Sequence, residues 1–157
     1  MTVSTKYTFE VIGNQEDPKG NPLGYFRMTQ GTKWSTAAQK YLKWKSHVVK
    51  AFNKAGYQHH NPLNFAPVSL QNDETAKVVL DIIFTNNVRA DCDNVHKGIL
   101  DSLFVNDKQV MEGAYTGKID ISSVGKVSVE ITVYKSFPQK KTKPVLRAKA
   151  KKRILKK

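Results

Sequence analysis

The sequence predicts an α+β domain with a mixed sheet and two main helices. Segments 6–12 and 125–134 alternate apolar and polar side chains, which is the pattern of a half-buried strand. Segment 76–85 is strongly apolar on both sides, which predicts a strand covered on both faces. Segments 36–55 and 94–104 repeat their apolar residues every three to four positions, as amphipathic helices do. A short strand is predicted at 108–111.

The first helix has the clearest pattern. Thr36 and Gln39 have the spacing of a capping box at its start, and Gly56 is a typical residue to end it. We expect its apolar stripe to face the core rather than a cofactor, and its lysines to form a solvated face. The stripe consists of Ala37, Tyr41, Trp44, Val48, Phe52 and Ala55.

A long loop rich in glycine and proline is predicted at 13–33. It carries Arg27 and Lys33, with the aromatic residues Tyr25, Phe26 and Trp34 interleaved or adjacent. Basic and aromatic side chains together suit a surface that grips phosphates and stacks on bases. Equally, the aromatic residues would hold the loop against the core, and the sequence leaves both interpretations open.

Charge is the most pronounced feature of the composition. Lys and Arg total 26 against 13 Asp and Glu, for a net charge of +13, which favours a polyanionic partner such as nucleic acid. Residues 139–157 hold ten basic and no acidic residues, which leaves 16 basic against 13 acidic residues in 1–138. We therefore divide the chain into a domain at 1–138 and a basic tail at 139–157. The tail residues predicted to contact DNA are Lys140, Lys141, Arg147, Lys151, Lys152 and Arg153.

The sequence also predicts an intracellular protein with no membrane partner. No stretch approaches the roughly 18 apolar residues of a membrane-spanning helix, and the N-terminus has no apolar signal sequence. Cys92 is the only cysteine, so an intramolecular disulfide is excluded. We expect a cytoplasmic, nucleoid-associated protein.

Acidic residues are concentrated in one short region of this basic chain. Six of the 13 acids lie between Asp91 and Asp120, where they would repel DNA unless a cation lies between them. Asp91 and Asp93 fall between a buried strand and a helix, and alternate residues of an extended segment share a face. Carboxylate oxygens suit Mg²⁺, and bound Mg²⁺ activates phosphodiesters toward hydrolysis.

Lys97 lies four residues after Asp93 and four before Asp101, so the three would share a helix face. The three side chains would form an ordinary ladder of ion pairs, or Lys97 would instead contact the scissile phosphate. A calcium loop, a phosphate-binding loop and a zinc site at His59 and His60 are not supported by the residues present.

The acidic region resembles the RusA family of Holliday junction resolvases, in particular its phage-type members. The residues that carry the resemblance are Arg89, Asp91, Asp93, Asn94, Lys97, Asp101 and Leu103, followed by Asn106, Asp107, Gln109 and Val110. Phe26 to Thr29, Lys33 to Trp34, Tyr41 to Leu42 and Trp44 to Lys45 extend it, so that it covers about residues 5–135. The resemblance implies a RusA-like fold, a homodimer, Mg²⁺ dependence and paired nicks in four-way DNA junctions.

Site residues follow from the resemblance position by position. Asp91 and Asp93 match the first two essential carboxylates, Asp107 matches the second aspartate of an Asp-Asp pair, and Lys97 matches a functional lysine. The three aspartates are the implied ligands of Mg²⁺ and, with Lys97, the catalytic residues. Arg27, Lys33, Arg89 and Lys97 are predicted to contact DNA. The chain departs from the pattern at Asn106, where the family has the first aspartate of that pair.

The predicted helix raises a geometric problem, because ten residues of helix separate Asp93 from Asp107 by roughly 15 Å. Either the chain folds back after the helix, or a twofold dimer brings Asp107 of one subunit to Asp93 of the other. Two further functions remain open from sequence: a non-catalytic nucleic-acid-binding protein, and a nuclease for flaps or other branched DNA.

Overall fold

A computed structural model describes residues 1–57 and 66–136 of the chain. They form an α+β unit with a mixed sheet and two main helices, as predicted. The elements are β1 (Thr2–Ile12), α1 (Thr36–Lys54), β2 (Glu74–Phe84), α2 (Cys92–Leu103), β3 (Val110–Ile119) and β4 (Lys126–Lys135). Within the described ranges, neither helix is long and apolar enough to cross a bilayer.

The four strands form one sheet in the order β1-β4-β2-β3. β4 pairs antiparallel with both β1 and β2, whereas β3 runs parallel to β2 on the outside. A parallel pair needs a crossover connection, and α2 supplies it. The start of α2 and the end of β2 therefore lie at one end of the sheet, and the end of α2 and the start of β3 lie at the other.

Both helices bury their apolar stripes against the same face of the sheet. Val78, Leu80 and Ile82 of β2 meet Trp44 of α1 and Ile99 of α2, and all five are fully or almost fully buried. On the opposite face β2 presents Lys77, Val79 and the exposed Asp81. The prediction that both faces of this strand are covered is therefore wrong over most of β2, since Ile83 is the one well-buried residue there.

Helix α1 begins differently from the prediction. Ser35 is its N-cap and accepts a hydrogen bond from the backbone N–H of Ala38 at 3.2 Å. The predicted capping box of Thr36 and Gln39 does not form, because the Gln39 amide donates to the carbonyl of Lys33. The central stripe is confirmed, but Ala38 is buried in place of Ala37, and Ala55 is exposed. Gly56, at φ 94°, ends the helix as expected.

β3 is longer than the predicted strand and follows a 3₁₀ turn at Asp107–Gln109. Two glycines on β3 allow α2 to approach it closely. A Cβ at Gly113 would lie 2.7 Å from the His96 ring, and a Cβ at Gly117 would overlap the sulfur of Cys92. Larger residues at these two positions would push α2 away from the sheet.

Candidate active site

The N-terminal end of α2 carries Asp91 and Asp93. Asp91 is the N-cap residue with an extended backbone, and its side chain makes no capping hydrogen bond. Asp93 lies in the first helical turn rather than in an extended segment, which corrects the local conformation predicted for it. The amide dipoles of a helix favour negative charge at this end. Because Asp91 leaves its capping role unused, its carboxylate is free to bind a ligand.

Lys97 lies at the same end of α2. Its Nζ atom is 3.2 Å from Oδ2 of Asp93, and both side chains are about half exposed. Asp101, in contrast, accepts a hydrogen bond from the Tyr41 hydroxyl at 2.7 Å and pairs with Lys45 at 3.0 Å. The ladder of three charged residues is therefore divided between two sites, and Lys97 belongs to the aspartates at the start of the helix.

The Tyr41 contact ties α1 to α2. Burial of the ring, and then the hydrogen bond to Asp101, raise the pKa of Tyr41 well above its usual value. Tyr41 therefore remains a neutral donor at any physiological pH. This contact fixes the middle of α2 against α1 and gives Asp101 a structural role.

The loop predicted at 13–33 holds the segment that leads into α2. Oδ1 of Asn21 accepts hydrogen bonds from the backbone N–H and the hydroxyl of Thr85, at 2.6 and 3.1 Å. Nδ2 of Asn21 donates to Oδ1 of Asn86 and to the carbonyl of Val88, both at 2.9 Å. The side chain thus fixes the end of β2 and the residues before Asp91. The sequence contains no signal that separates Asn21 from Asn14, the other asparagine of the loop.

A second contact joins the loop to α2 itself. The backbone N–H of Tyr25 donates to the carbonyl of Asn94 at 2.9 Å. Gly24 lies so close that a Cβ there would be 2.9 Å from Cβ of Ala90. The loop therefore supports the start of α2 on the side facing α1, and glycine at position 24 permits the close approach.

The aromatic residues in and beside the loop have two different environments: one packs on the core and another is exposed. Phe26 is partly buried against the core. Trp34 is 79% exposed, with Nζ of Lys33 5.6 Å from its ring centre. Arg27 is also exposed. Phe26 therefore holds the loop in place, whereas Lys33, Trp34 and Arg27 present basic and aromatic groups to the surroundings.

Arg89 lies on the segment between β2 and α2, two residues before Asp91. It is exposed, and its guanidinium lies 5.2 Å from the ring centre of Phe84. Among the described residues, no carboxylate pairs with Arg27, Lys33 or Arg89. Their positive charge is therefore available to a solvent ion or a bound phosphate.

Asp107 lies at the opposite end of α2, exposed in the 3₁₀ turn. Twelve residues of helix span about 18 Å, so one chain does not bring Asp107 to Asp91 and Asp93. Accordingly, the described residues contain no group of three or more His, Cys, Asp or Glu that could hold a metal ion together. Asn106 caps the turn by accepting from the N–H of Lys108 at 3.2 Å.

His96 and Cys92 face β3. The His96 ring centre lies 5.5 Å from that of Tyr115 at an interplanar angle of 44°, and its Nε2 is buried without a hydrogen-bond partner among the described residues. Burial lowers the pKa of His96, so the ring is neutral at pH 7. Cys92 lies partly buried against Gly117, which agrees with a structural role.

No family model matches this chain, and no curated protein matches it in sequence. The RusA resemblance therefore remains an expectation from the motif. The six tail residues predicted to bind DNA, and His59 and His60, lie outside the described ranges, as does the predicted boundary at residue 138.

Replacing Asn21 with alanine tests whether its side chain stabilises the segment that leads to Asp91. Asn21→Ala removes four hydrogen bonds and is expected to lower the free energy of unfolding by about 2 kcal/mol. Urea unfolding measures this loss, with Asn87→Ala as the matched control on the exposed neighbouring segment. Equal stability of the two variants would show that Asn21 does not support this segment.

Proposed function

We propose that this protein is a Mg²⁺-dependent endonuclease that resolves four-way DNA junctions by paired nicks. The observation that carries the proposal is the uncapped carboxylate of Asp91 at the start of α2, beside Asp93 and Lys97. Structural N-cap aspartates normally bond the first helical N–H groups. A free carboxylate at this position, in a protein with 26 basic residues, favours a cation bound between protein and DNA.

The residues of one chain fit Mg²⁺. This ion is usually held by one or two carboxylates, with water and substrate phosphate completing its shell. Asp91 and Asp93 supply those carboxylates. Bound Mg²⁺ would polarise the phosphodiester and lower the pKa of a coordinated water. If Asp93 held the cation, Lys97 would exchange its ion pair with Asp93 for the phosphate, where its charge would oppose the negative charge that develops during cleavage.

Asp107 joins this site from a second subunit. In one chain it lies a helix length away from Asp91, so a complete site with three carboxylates requires a twofold dimer in which the α2 helices run antiparallel. A homodimer also suits the substrate, because a four-way junction presents two opposed strands and the dimer presents two sites.

Basic groups around the site bind the arms of the junction. Arg27, Lys33 and Arg89 are exposed cations on the loop and the segment before α2, and the tail adds ten more basic residues. Each contact with a phosphate releases a condensed counterion, which favours binding. The protein therefore acts where DNA is, in the cytoplasm and associated with the nucleoid.

Cleavage of a labelled four-way junction tests the proposal. We expect paired, symmetric nicks with Mg²⁺ and none with EDTA, and faster cleavage of junctions than of flaps or linear duplex. Faster cleavage of flaps would identify a branched-DNA nuclease instead. Tight junction binding by a folded protein that cleaves none of these substrates would identify a non-catalytic binding protein and contradict the proposal.

A further inference from the structure

β3 is an edge strand whose residues are almost all exposed. Nine of its ten residues are exposed, and among the described strands only β2 pairs with it. A long edge with unpaired N–H and C=O groups is a template for another strand, and proteins usually shorten or cover such edges. β3 is also apolar in places, with Met111, Tyr115 and Ile119 at 70, 45 and 43% exposure.

The sequence of β3 is complementary to itself when reversed about Tyr115. In an antiparallel pair centred on this residue, Tyr115 faces its own copy and Ala114 faces Thr116. Gly113 then faces Gly117, and Glu112 faces Lys118. Met111 and Ile119, at the two ends of this match, are both apolar, and Met111 lies at the β-bulge where the register of β3 against β2 shifts. Opposite charges and apolar pairs directly across two strands each stabilise pairing.

We propose that β3 pairs antiparallel with β3 of a second copy of this chain, centred on Tyr115, and so joins two sheets into one. This inference rests on the proposed homodimer and names its interface. The pairing is isologous, since each contact occurs twice about the twofold axis. Glu112 forms an ion pair with Lys118 of the partner subunit, and this register is favoured because a shift would break both copies of that pair.

Such pairing also brings Asp107 toward the carboxylates of the other subunit. Cys92 packs on Gly117, so the start of α2 lies level with that residue. Within one chain, Gly117 is seven residues from Val110, where β3 begins after Asp107, or about 23 Å along the strand. In the proposed register the partner subunit's Gly117 lies opposite Gly113, only three residues or about 10 Å from Val110.

Disulfide cross-linking tests this register. In a Cys92→Ser background, Tyr115→Cys is expected to give a covalent dimer on oxidation with diamide, without DNA. Residues directly opposite in an antiparallel pair have Cα atoms about 4.5–5.5 Å apart, which a disulfide can span. Ile119→Cys is the matched control, with nearly the same exposure on the same face. It lies eight residues, or about 26 Å, from its own copy and should remain uncoupled.

A charge exchange provides a second test that leaves Tyr115 unchanged. Glu112→Lys or Lys118→Glu alone is expected to raise the dimer dissociation constant about tenfold in sedimentation equilibrium. The double variant should restore it. Glu112 also pairs with Lys77 of its own chain at 3.3 Å, and the double variant does not repair that contact. Recovery therefore reports the pairing between subunits.

The outcomes separate the interface from the function. A monomeric wild-type chain overturns the pairing, as does a folded Tyr115→Cys variant that links no more than Ile119→Cys, or a double variant that fails to recover. Junction cleavage by such a protein would support the nuclease activity and show that this interface is not needed to complete its site. Conversely, a dimer that links at position 115 but cleaves no junction supports the pairing and contradicts the nuclease proposal.

Discussion

Replacing Asp91 or Asp93 with asparagine is expected to lower the rate of junction cleavage by about a thousandfold or more. Asparagine keeps the size of the side chain but loses the charge that would hold the proposed cation. The contribution of a bound metal ion to the transition state is several kcal/mol, and each factor of ten in rate corresponds to about 1.4 kcal/mol. Cleavage of a labelled four-way junction under single-turnover conditions measures the loss.

Junction binding should survive these substitutions or become tighter, because each removes a negative charge from the surface that is proposed to face phosphates. Asp81→Asn is the matched control, since Asp81 is an exposed carboxylate on the open face of the sheet, where it accepts a hydrogen bond from Thr116. Its cleavage rate should equal that of the wild-type protein. Full activity of Asp91→Asn and Asp93→Asn would remove both residues from the site.

Asp107→Asn should be as inactive as Asp93→Asn, and mixing the two tests whether the site is shared. If Asp107 acts across the dimer, each heterodimer of the two variants retains one intact site. Random assembly makes half of the dimers heterodimers, so about a quarter of wild-type sites would return. These dimers should produce single nicks rather than paired ones. A co-expressed, separately tagged pair without activity would show that Asp107 acts within its own chain.

Deleting residues 139–157 is expected to have the second large effect, a loss of affinity for DNA that depends strongly on salt. The tail contains ten basic residues, and each phosphate contact contributes a slope of about −0.9 to the dependence of log K on log salt. Losing six contacts or more would weaken binding at 50 mM salt by orders of magnitude and flatten the slope by about five units.

Fluorescence anisotropy with a labelled junction at several salt concentrations measures both quantities. A full-length chain whose tail lysines and arginines are replaced with glutamine is the matched control, because it keeps the length and removes the charge. It should behave like the deletion. A salt slope equal to that of the wild-type protein in either variant would exclude the tail as a phosphate contact.

Periodic apolar residues determined the elements that face the core. Tyr41, Trp44, Val48 and Phe52 recur at helical spacing, and all four are buried in α1. β1, β2 and β4 likewise lie where the apolar patterns predict strands. Such patterns are local, since a residue's spacing to its neighbours decides which side it turns to the core. At the ends of α1 the pattern fails, because Ala37 is exposed beside the buried Ala38 and Ala55 is an exposed C-cap residue.

Most of β3 was not predicted, since the strand expected at 108–111 covers only its first two residues. An edge strand that is exposed on both faces has no need to alternate apolar and polar residues, so its length of ten residues left no periodic signal. The same applies to Asn21, whose four hydrogen bonds join residues about 65 positions apart. Neither feature has a local signature.

By itself the sequence determined the α+β class, the two helices and the concentration of six carboxylates between Asp91 and Asp120. Only the tertiary structure decided that Asp101 bonds Tyr41 and Lys45, and that β3 forms an edge of the sheet. It also placed Asp107 at the far end of α2 from Asp91. These outcomes depend on which segments distant in sequence pack together. That packing is decided by the whole chain, so no short stretch of sequence is enough to predict it.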